Sequence, residues 1–268
     1  MSLGYGPHRT PRAIVLTFDN LGEASALERG TWTPDTPLGE DPSVTAALPR
    51  LLDALDDSRL SATFFVEGVN AELNPEALSE IAGRGHEVGA HGWRHEQWGE
   101  LSADPSQERE LLERATRALT ERGLAVAGFR PPGGELTAQT MDLLRELGYQ
   151  WCSPAARDSR GATPSVQVGL RVIPFAWELV DAYHLMERFA DLRVGRGAPA
   201  QPLDTTAAGE RLGQAVTEGD GVQTIVLHPF LMVADAWFEQ VQRLLGLVAG
   251  LRDAGQAWVV PGRELTPQ

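Results

Sequence analysis

Residues 13–20 read Ala13-Ile14-Val15-Leu16-Thr17-Phe18-Asp19-Asn20, a short apolar run that stops on two polar side chains. A run of this length, rich in β-branched residues, fits a buried strand and is too short for a helix. The same signature returns at residues 62–66, 87–90, 126–129, 149–152, 171–176, 224–227 and 257–260. Amphipathic stretches separate most of these runs, at 44–57, 75–83, 105–122, 138–147, 207–217 and 236–254. In the first, Leu48, Leu51, Leu52 and Leu55 share one helical face; in the second, Pro75 opens and Gly83 closes the helix. Strand and helix in alternation build a parallel α/β sheet or barrel. The number of units predicts a single barrel-like α/β domain over residues 1–268, with an open doubly wound sheet as the alternative. Residues 195–202 are loop-rich, and no repeat or low-complexity tract interrupts the pattern.

With 42% hydrophobic and 22% charged residues, 28 Gly and 18 Pro, the 268-residue chain has the composition of an ordinary globular protein, which excludes collagen-like and coiled-coil classes. A net charge of −14 repels phosphate backbones and anionic membranes, so neither nucleic acid nor membrane is an expected partner. Every basic residue other than His is Arg. Without Lys there is no Walker-A loop, no Schiff base and no lysine base. The lone Cys152 permits neither an intrachain disulfide nor a Cys-rich zinc site, and within a strand it reads as core rather than as a nucleophile. Residues 1–12 are polar, the apolar run 13–16 is shorter than a signal-peptide core, and no stretch reaches the ~18 apolar residues of a membrane span. The expected location is cytoplasmic, and assembly into a homo-oligomer is left open.

In either α/β architecture, chemistry collects beyond the carboxyl ends of the strands. Asp19 and Asn20 follow the first strand, His91 and His95 the run ending at Ala90, and Arg130 the run ending at Phe129. Trp177 and Asp181 follow the run ending at Ala176, and His228 the run ending at Leu227. In a barrel these residues ring one mouth, where acids, bases and metal ligands from separate segments converge. Each also has a plainer reading. Two His at i and i+4 can share a metal if they face one side of a helical turn, but Arg130, ahead of Pro131 and Pro132, can pair with a surface carboxylate, and Trp177 can fill core. His86-Glu87 is not a zincin motif, because Ala90 stands where the second His is needed. His86 reads as a hydrogen-bonding residue at a strand start, and His8 and His184 as surface or packing residues. No Gly-x-Ser-x-Gly elbow exists, and Gly133-Gly134 lacks the spacing of a dinucleotide loop.

As an ordered set these segments resemble the polysaccharide deacetylase family, also called the NodB-homology or carbohydrate esterase 4 family. Thr17-Phe18-Asp19-Asn20 is similar to its Thr-Phe-Asp-Asp motif, and Ser61-Ala62-Thr63-Phe64-Phe65-Val66 to its Ala-Thr-Phe-Phe strand. His91-Gly92-Trp93-Arg94-His95, preceded by Gly85-His86-Glu87-Val88-Gly89, resembles the His-x-x-x-His metal motif. Phe129-Arg130-Pro131-Pro132-Gly133-Gly134 fits Arg-x-Pro-x-Gly, and Val226-Leu227-His228-Pro229 is similar to the last motif. Residues 20–61 and 177–184 look most like the branch with cytoplasmic peptidoglycan-deacetylase-like and allantoinase-like members. The resemblance implies a distorted, TIM-like (β/α) barrel of about seven strands. It also implies an enzyme that hydrolyses an amide-linked acyl group, most often the acetamide of an N-acetylated carbohydrate. By the same analogy His91 and His95 bind a divalent metal, zinc by family habit, and Asp19 is the general base, oriented by Arg130. His228 is then the general acid, kept cationic by Asp181, while Trp93, Trp177 and Pro132 contact substrate.

The chain departs from the family at one place. Asn20 stands where the family has a second acidic residue, normally the third metal ligand, and in the alternative Asp-x-Asp alignment Leu21 stands there instead. An amide oxygen brings no negative charge to a dication, so the site should bind metal more weakly than a His₂-carboxylate set. Glu23 is a further candidate substitute. The missing carboxylate keeps two other functions open. One is a metal-independent, allantoinase-like hydrolase of a small amide substrate. The other is a catalytically weak carbohydrate-binding relative in which Trp93, Trp98 and Trp177 stack on sugar faces.

Overall fold

The computed structural model describes residues 4–33, 35–156 and 163–265. Its central strand, β1 (Arg12–Asp19), is buried along almost its whole length. One edge of β1 pairs in parallel with β8 (Gly221–Leu227), from Arg12↔Gly221 to Phe18↔Leu227. The other edge is shared by β2 (Thr63–Val66) at the carboxyl end and β9 (Ala257–Val259) at the amino end. Beyond β2 the sheet continues in parallel through β3 (Glu87–Ala90), β4 (Gly128–Phe129), β5 (Trp151–Cys152) and β7 (Leu170–Val172). β6 (Ser165–Gln167) adds an antiparallel edge. The segment after β7 extends the pairing through Ala155↔Phe175 and returns to β8 through Val180↔Val226, so the sheet curls into a distorted barrel.

The described strands number nine, against the seven or so expected. β9 fills the part of the β1 edge that β2 does not reach. β6 has no apolar signature because two of its three residues are exposed. The six expected helices form within a few residues of their anticipated bounds, as at Pro75–Gly83 and Pro105–Glu121, the latter capped by Asp104 accepting from the backbone of Ser106 and Gln107. Short helices at Ala24–Glu28, Asn70–Leu73, Asp181–Leu185 and Ala190–Gly195 sit in connections whose length is below what hydrophobic periodicity can register. No helix among the described residues is long and apolar enough to cross a membrane.

Alternation along the strands sorts side chains between two cores. Ile14, Leu16, Phe18, Phe64, Val66, Val88, Ala90, Phe129, Cys152, Ile225 and Leu227 face the helices. Ala13, Val15, Phe65, Trp151 and Val222 face the barrel interior with Ile173 and Val260. Because successive strand residues alternate faces, the inward positions at or just beyond the strand ends are Asp19, Glu67, His91, Arg130, Ser153 and His228. The interior is plugged below by Glu87, whose carboxylate accepts from Trp151 Nε1 (2.9 Å), Thr63 Oγ1 (2.8 Å) and the Arg263 amide (2.9 Å). Gly262 lies against the Trp151 ring so closely that a Cβ there would stand 2.1 Å from it.

Gly262→Ala is therefore expected to destabilise the fold by about 1–3 kcal/mol through overpacking. Gly246→Ala, at an open position of the helix Asp235–Asp253, is expected to stabilise it by about 0.5–1 kcal/mol. Denaturant unfolding of the two variants beside the parent measures both changes.

Candidate active site

At the carboxyl end of the barrel, β1 delivers Asp19 and β4 delivers Arg130 into a buried ion pair, Arg130 Nη1 to Asp19 Oδ1 at 2.7 Å. The guanidinium also donates to Thr17 Oγ1 (2.7 Å) and Ser153 Oγ (2.8 Å) and lies over the Phe65 ring at 4.3 Å. Burial draws the Arg130 pKa below its ordinary value, while Asp19 pulls it the other way. The pair fixes the direction of the Asp19 carboxylate, and both residues line an open groove of about 2030 Å³.

β3 delivers His91, whose Nδ1 lies 2.8 Å from the Arg130 carbonyl. A carbonyl only accepts, so Nδ1 carries the proton and Nε2 keeps a free lone pair. His95 does not reach the same place on a helical turn. The chain from His91 to His95 is a loop in which Gly92 and His95 both take left-handed backbone, at φ +73° and +75°, bringing the two rings to 5.0 Å between centroids. Glu96 holds this loop by accepting from the amides of Trp93 (2.9 Å) and Arg94 (2.8 Å). Burial lowers the His91 pKa to about 3 and that of His95 well below the usual range, so both rings are neutral, the form that ligates metals.

A carboxylate stands near the two histidines from the position just after β2. Glu67, His91 and His95 each offer a ligand atom, and these atoms lie within 4.8 Å of one another. Glu67 Oε2 accepts from the Leu21 amide (3.3 Å) and Asn70 Nδ2 (3.2 Å), whereas Oε1 is buried with no partner. His95 Nδ1 and Asn20 Oδ1 are buried without partners too. Burial raises the Glu67 pKa to about 8, and the negative charges of Asp19 and Glu96 add to this. Unpartnered atoms on Glu67 and His95, in a cluster whose acid is more readily ionised when a positive charge stands beside it, fit a divalent cation. Asn20 adopts φ +62° and lines the same groove with its unpartnered oxygen, so it is placed beside the cluster without supplying charge. Glu23 is excluded as the substitute, since its carboxylate is spent on the Gly39 amide and Asn74 Nδ2 and is fully buried there.

From β8 comes His228, with Nδ1 held by Asp181 Oδ1 at 2.5 Å and its own amide bonded to Asp181 Oδ2 at 2.8 Å. Asp181 is fully buried at the start of the short helix Asp181–Leu185. This arrangement leaves Nε2 of His228 as the free ring nitrogen on the groove side. Trp177 and Pro132 line the groove as well, and Trp177 packs on Phe175 and Phe189 at 5.3 and 5.5 Å.

Trp93 requires correction as a substrate contact. It is buried among Ala24, Val69 and Ala115, with the Arg114 guanidinium 3.8 Å over its ring, and does not line the groove. The left-handed turn at Gly92 sends it toward the helix Pro105–Glu121 instead. Trp98 is fully buried, donating to Thr140 Oγ1, and has no face for a sugar. Among the remaining residues read from sequence, Cys152 is buried with its thiol pKa pushed up to about 12, and His184 is buried with Nε2 at the Glu178 carbonyl. His86 accepts from the Ala62 amide at the start of β2. Sequence reading missed Glu67 and Ser153, although both stand one residue past a strand, the same relation that singles out Arg130 and His228.

A parallel barrel with convergent titratable groups beyond the carboxyl ends of its strands defines a class of enzyme-like folds. Within that class the chain belongs to the polysaccharide deacetylase family, whose model matches residues 7–152. Over 112 residues it is 31% identical to a peptidoglycan-N-acetylglucosamine deacetylase of Bacillus cereus, a match covering 42% of this chain and 50% of that protein. The chain spans half or less of the length of the first curated relatives it matches. A Mycobacterium smegmatis structure described as a polysaccharide deacetylase superposes with a TM-score of 0.78 at 26% identity, covering 100% of this chain and 96% of that one. PuuE allantoinase superposes with a TM-score of 0.74 at 19% identity, covering 97% and 90%, a likeness of fold alone.

If Glu67 completes a cation site, Glu67→Gln should weaken Zn²⁺ or Co²⁺ binding by about 100-fold or more, and His95→Ala should do the same. Glu100→Gln, on the exposed groove rim, should leave binding unchanged. Competitive metal titration with elemental analysis reads all three variants. Equal affinity of Glu67→Gln and the parent would remove Glu67 from the site.

Proposed function

We propose that the protein hydrolyses an amide-linked acyl group, with the acetamide of an N-acetylated carbohydrate as its substrate and zinc as its cation. The observation that carries this reading is the pairing of two buried dyads, Asp19–Arg130 and Asp181–His228, around the Glu67, His91 and His95 cluster. Two neutral imidazoles and one carboxylate form the donor set used at catalytic zinc. A divalent cation held there supplies a Lewis acid that polarises the acyl carbonyl and acidifies water.

The protein's own groups supply the rest. Asp19, aimed by Arg130, takes the proton of the attacking water. Arg130, whose Nη groups also donate to Thr17 and Ser153, keeps that carboxylate from swinging toward the cluster. His228 Nε2 faces the opposite partner of the scissile bond and donates a proton to the leaving nitrogen. Asp181 fixes the ring's orientation and tautomer, as an aspartate does behind a catalytic histidine. The groove is larger than the ~300–1,000 Å³ of small-ligand pockets and is open, which suits an oligomeric substrate better than a small cyclic amide. Trp177 offers it an aromatic wall.

Release of acetate from N-acetylated chito-oligosaccharides is the expected activity, and a chelator should abolish it. Asp19→Asn and His228→Ala should each lower kcat/KM by about 10²- to 10⁴-fold with the thermal midpoint retained. Turnover that survives both substitutions and exhaustive chelation would overturn the reading.

A further inference from the structure

The groove wall carries two guanidinium groups that the proposed reaction does not use. Arg29 follows the short helix Ala24–Glu28 after β1, and Arg188 lies in the turn Glu187–Phe189 before β8. Both line the groove. Neither makes an ion pair or a side-chain hydrogen bond among the described residues, although the chain has more acidic than basic groups. Two nearby arginines are satisfied. Arg196 pairs with Glu178 at 3.5 Å, and buried Arg193 donates to the carbonyls of Tyr183, Met186, Pro199 and Ala200. That last set pins the segment bearing Arg188 in place.

Arg29 and Arg188 also repel each other. Arg188 is exposed as a residue, yet its guanidinium lies 5.0 Å over the Phe189 ring, and its pKa is drawn down to about 10 by desolvation and then by Arg29. Arg188 therefore stays cationic at neutral pH. His95 lines the same groove as the two arginines, and the Arg29 charge helps to hold its pKa down. The acids of the same groove are committed or elsewhere. Asp19 is held by Arg130 and Glu96 by two loop amides, while Glu100 and Glu135 belong to the wall after β3 and β4. Glu28 is exposed and within ion-pair distance of neither arginine. Two like charges lining one groove, with no counter-ion among the described residues, are stabilised by an anion that enters it.

We propose that Arg29 and Arg188 form an anion subsite, and that the substrate carries a carboxylate on the same molecule as its scissile amide. The assignment rests on the reading of the groove as the substrate site. It narrows the substrate from N-acetylated carbohydrates in general to those bearing an acidic substituent, with an N-acylated small acid as the other carboxylate source that the test separates. Guanidinium groups suit this task because their forked donors match the two oxygens of a carboxylate.

The test compares each acid with its own methyl ester, so that only the charge differs. N-acetylmuramic acid and N-acetylglycine, with their esters, are titrated calorimetrically into the zinc-equilibrated full chain, its Arg29→Gln/Arg188→Gln double variant, and an Arg59→Gln control. At least one acid is expected to bind about tenfold tighter than its ester to the parent and the control. In the double variant that gap should close to within about twofold through loss of acid binding. Preference confined to the sugar acid identifies a carbohydrate source, and preference confined to N-acetylglycine a small acid. Equal binding of acid and ester, no binding of either acid, or a preference that survives in the double variant would overturn the proposal. Deacetylation of neutral chito-oligosaccharides without any acid preference would sink the subsite and spare the proposed function. Acid preference without turnover would do the reverse.

Discussion

The Arg130 guanidinium is the constraint on which the upper half of the barrel depends. A charge buried this deeply is tolerated only when paired and hydrogen-bonded. Arg130 meets the condition by taking partners from separate strands: Thr17 and Asp19 on β1, Ser153 beyond β5, and the Phe65 ring on β2. Its own carbonyl sets the tautomer of His91 beyond β3. One side chain thus fixes the direction of the candidate base and, through its backbone, the lone pair of a candidate metal ligand. The cost of removing such a partner, about 3–5 kcal/mol for a broken buried pair, means that the same interaction serves stability and site geometry.

Much of this is legible in the amino-acid chain alone. The apolar runs at 13–18, 62–66 and 87–90 become β1, β2 and β3 nearly unchanged, because a strand buried on both faces leaves a contiguous hydrophobic signature. Asp19, His91, Arg130 and His228 each stand at the carboxyl end of such a run, and that position alone marks them as candidates. Glu67 has the same relation to β2 but belongs to none of the motifs that carry the family resemblance. Motif alignment draws attention to Asn20, next to Asp19 in sequence, while period-two alternation points to the inward position of the neighbouring strand. Thr63 and Phe65 face inward, so Glu67 does too.

The illegible part depends on backbone that no periodicity encodes. His91 and His95 approach each other through two left-handed residues rather than through a helical turn, and the same geometry turns Trp93 away from the groove. A non-glycine residue at positive φ is uncommon and carries strain, and two of the five among the described residues, Asn20 and His95, line this groove. The aromatic residues next to a metal-like motif give no sign of which one meets substrate. Burial decides it: Trp93 and Trp98 are consumed by packing, and Trp177 retains an accessible face.

The fully buried glutamates show how function separates from structure when residue type and burial are the same. Glu23, Glu67, Glu87 and Glu108 are all essentially inaccessible. Glu87 receives Trp151, Thr63 and the Arg263 amide at the bottom of the barrel, and Glu108 receives Thr137, Gln139 and Thr140. Glu23 receives Gly39 and Asn74. In each of these three both carboxylate oxygens find donors within the protein, which is the condition for a buried acid that serves folding. Glu67 alone among them keeps an oxygen without a donor, and its carboxylate stands beside two neutral histidines. That free oxygen beside two neutral imidazoles, more than any motif, distinguishes the mouth of the barrel from its floor.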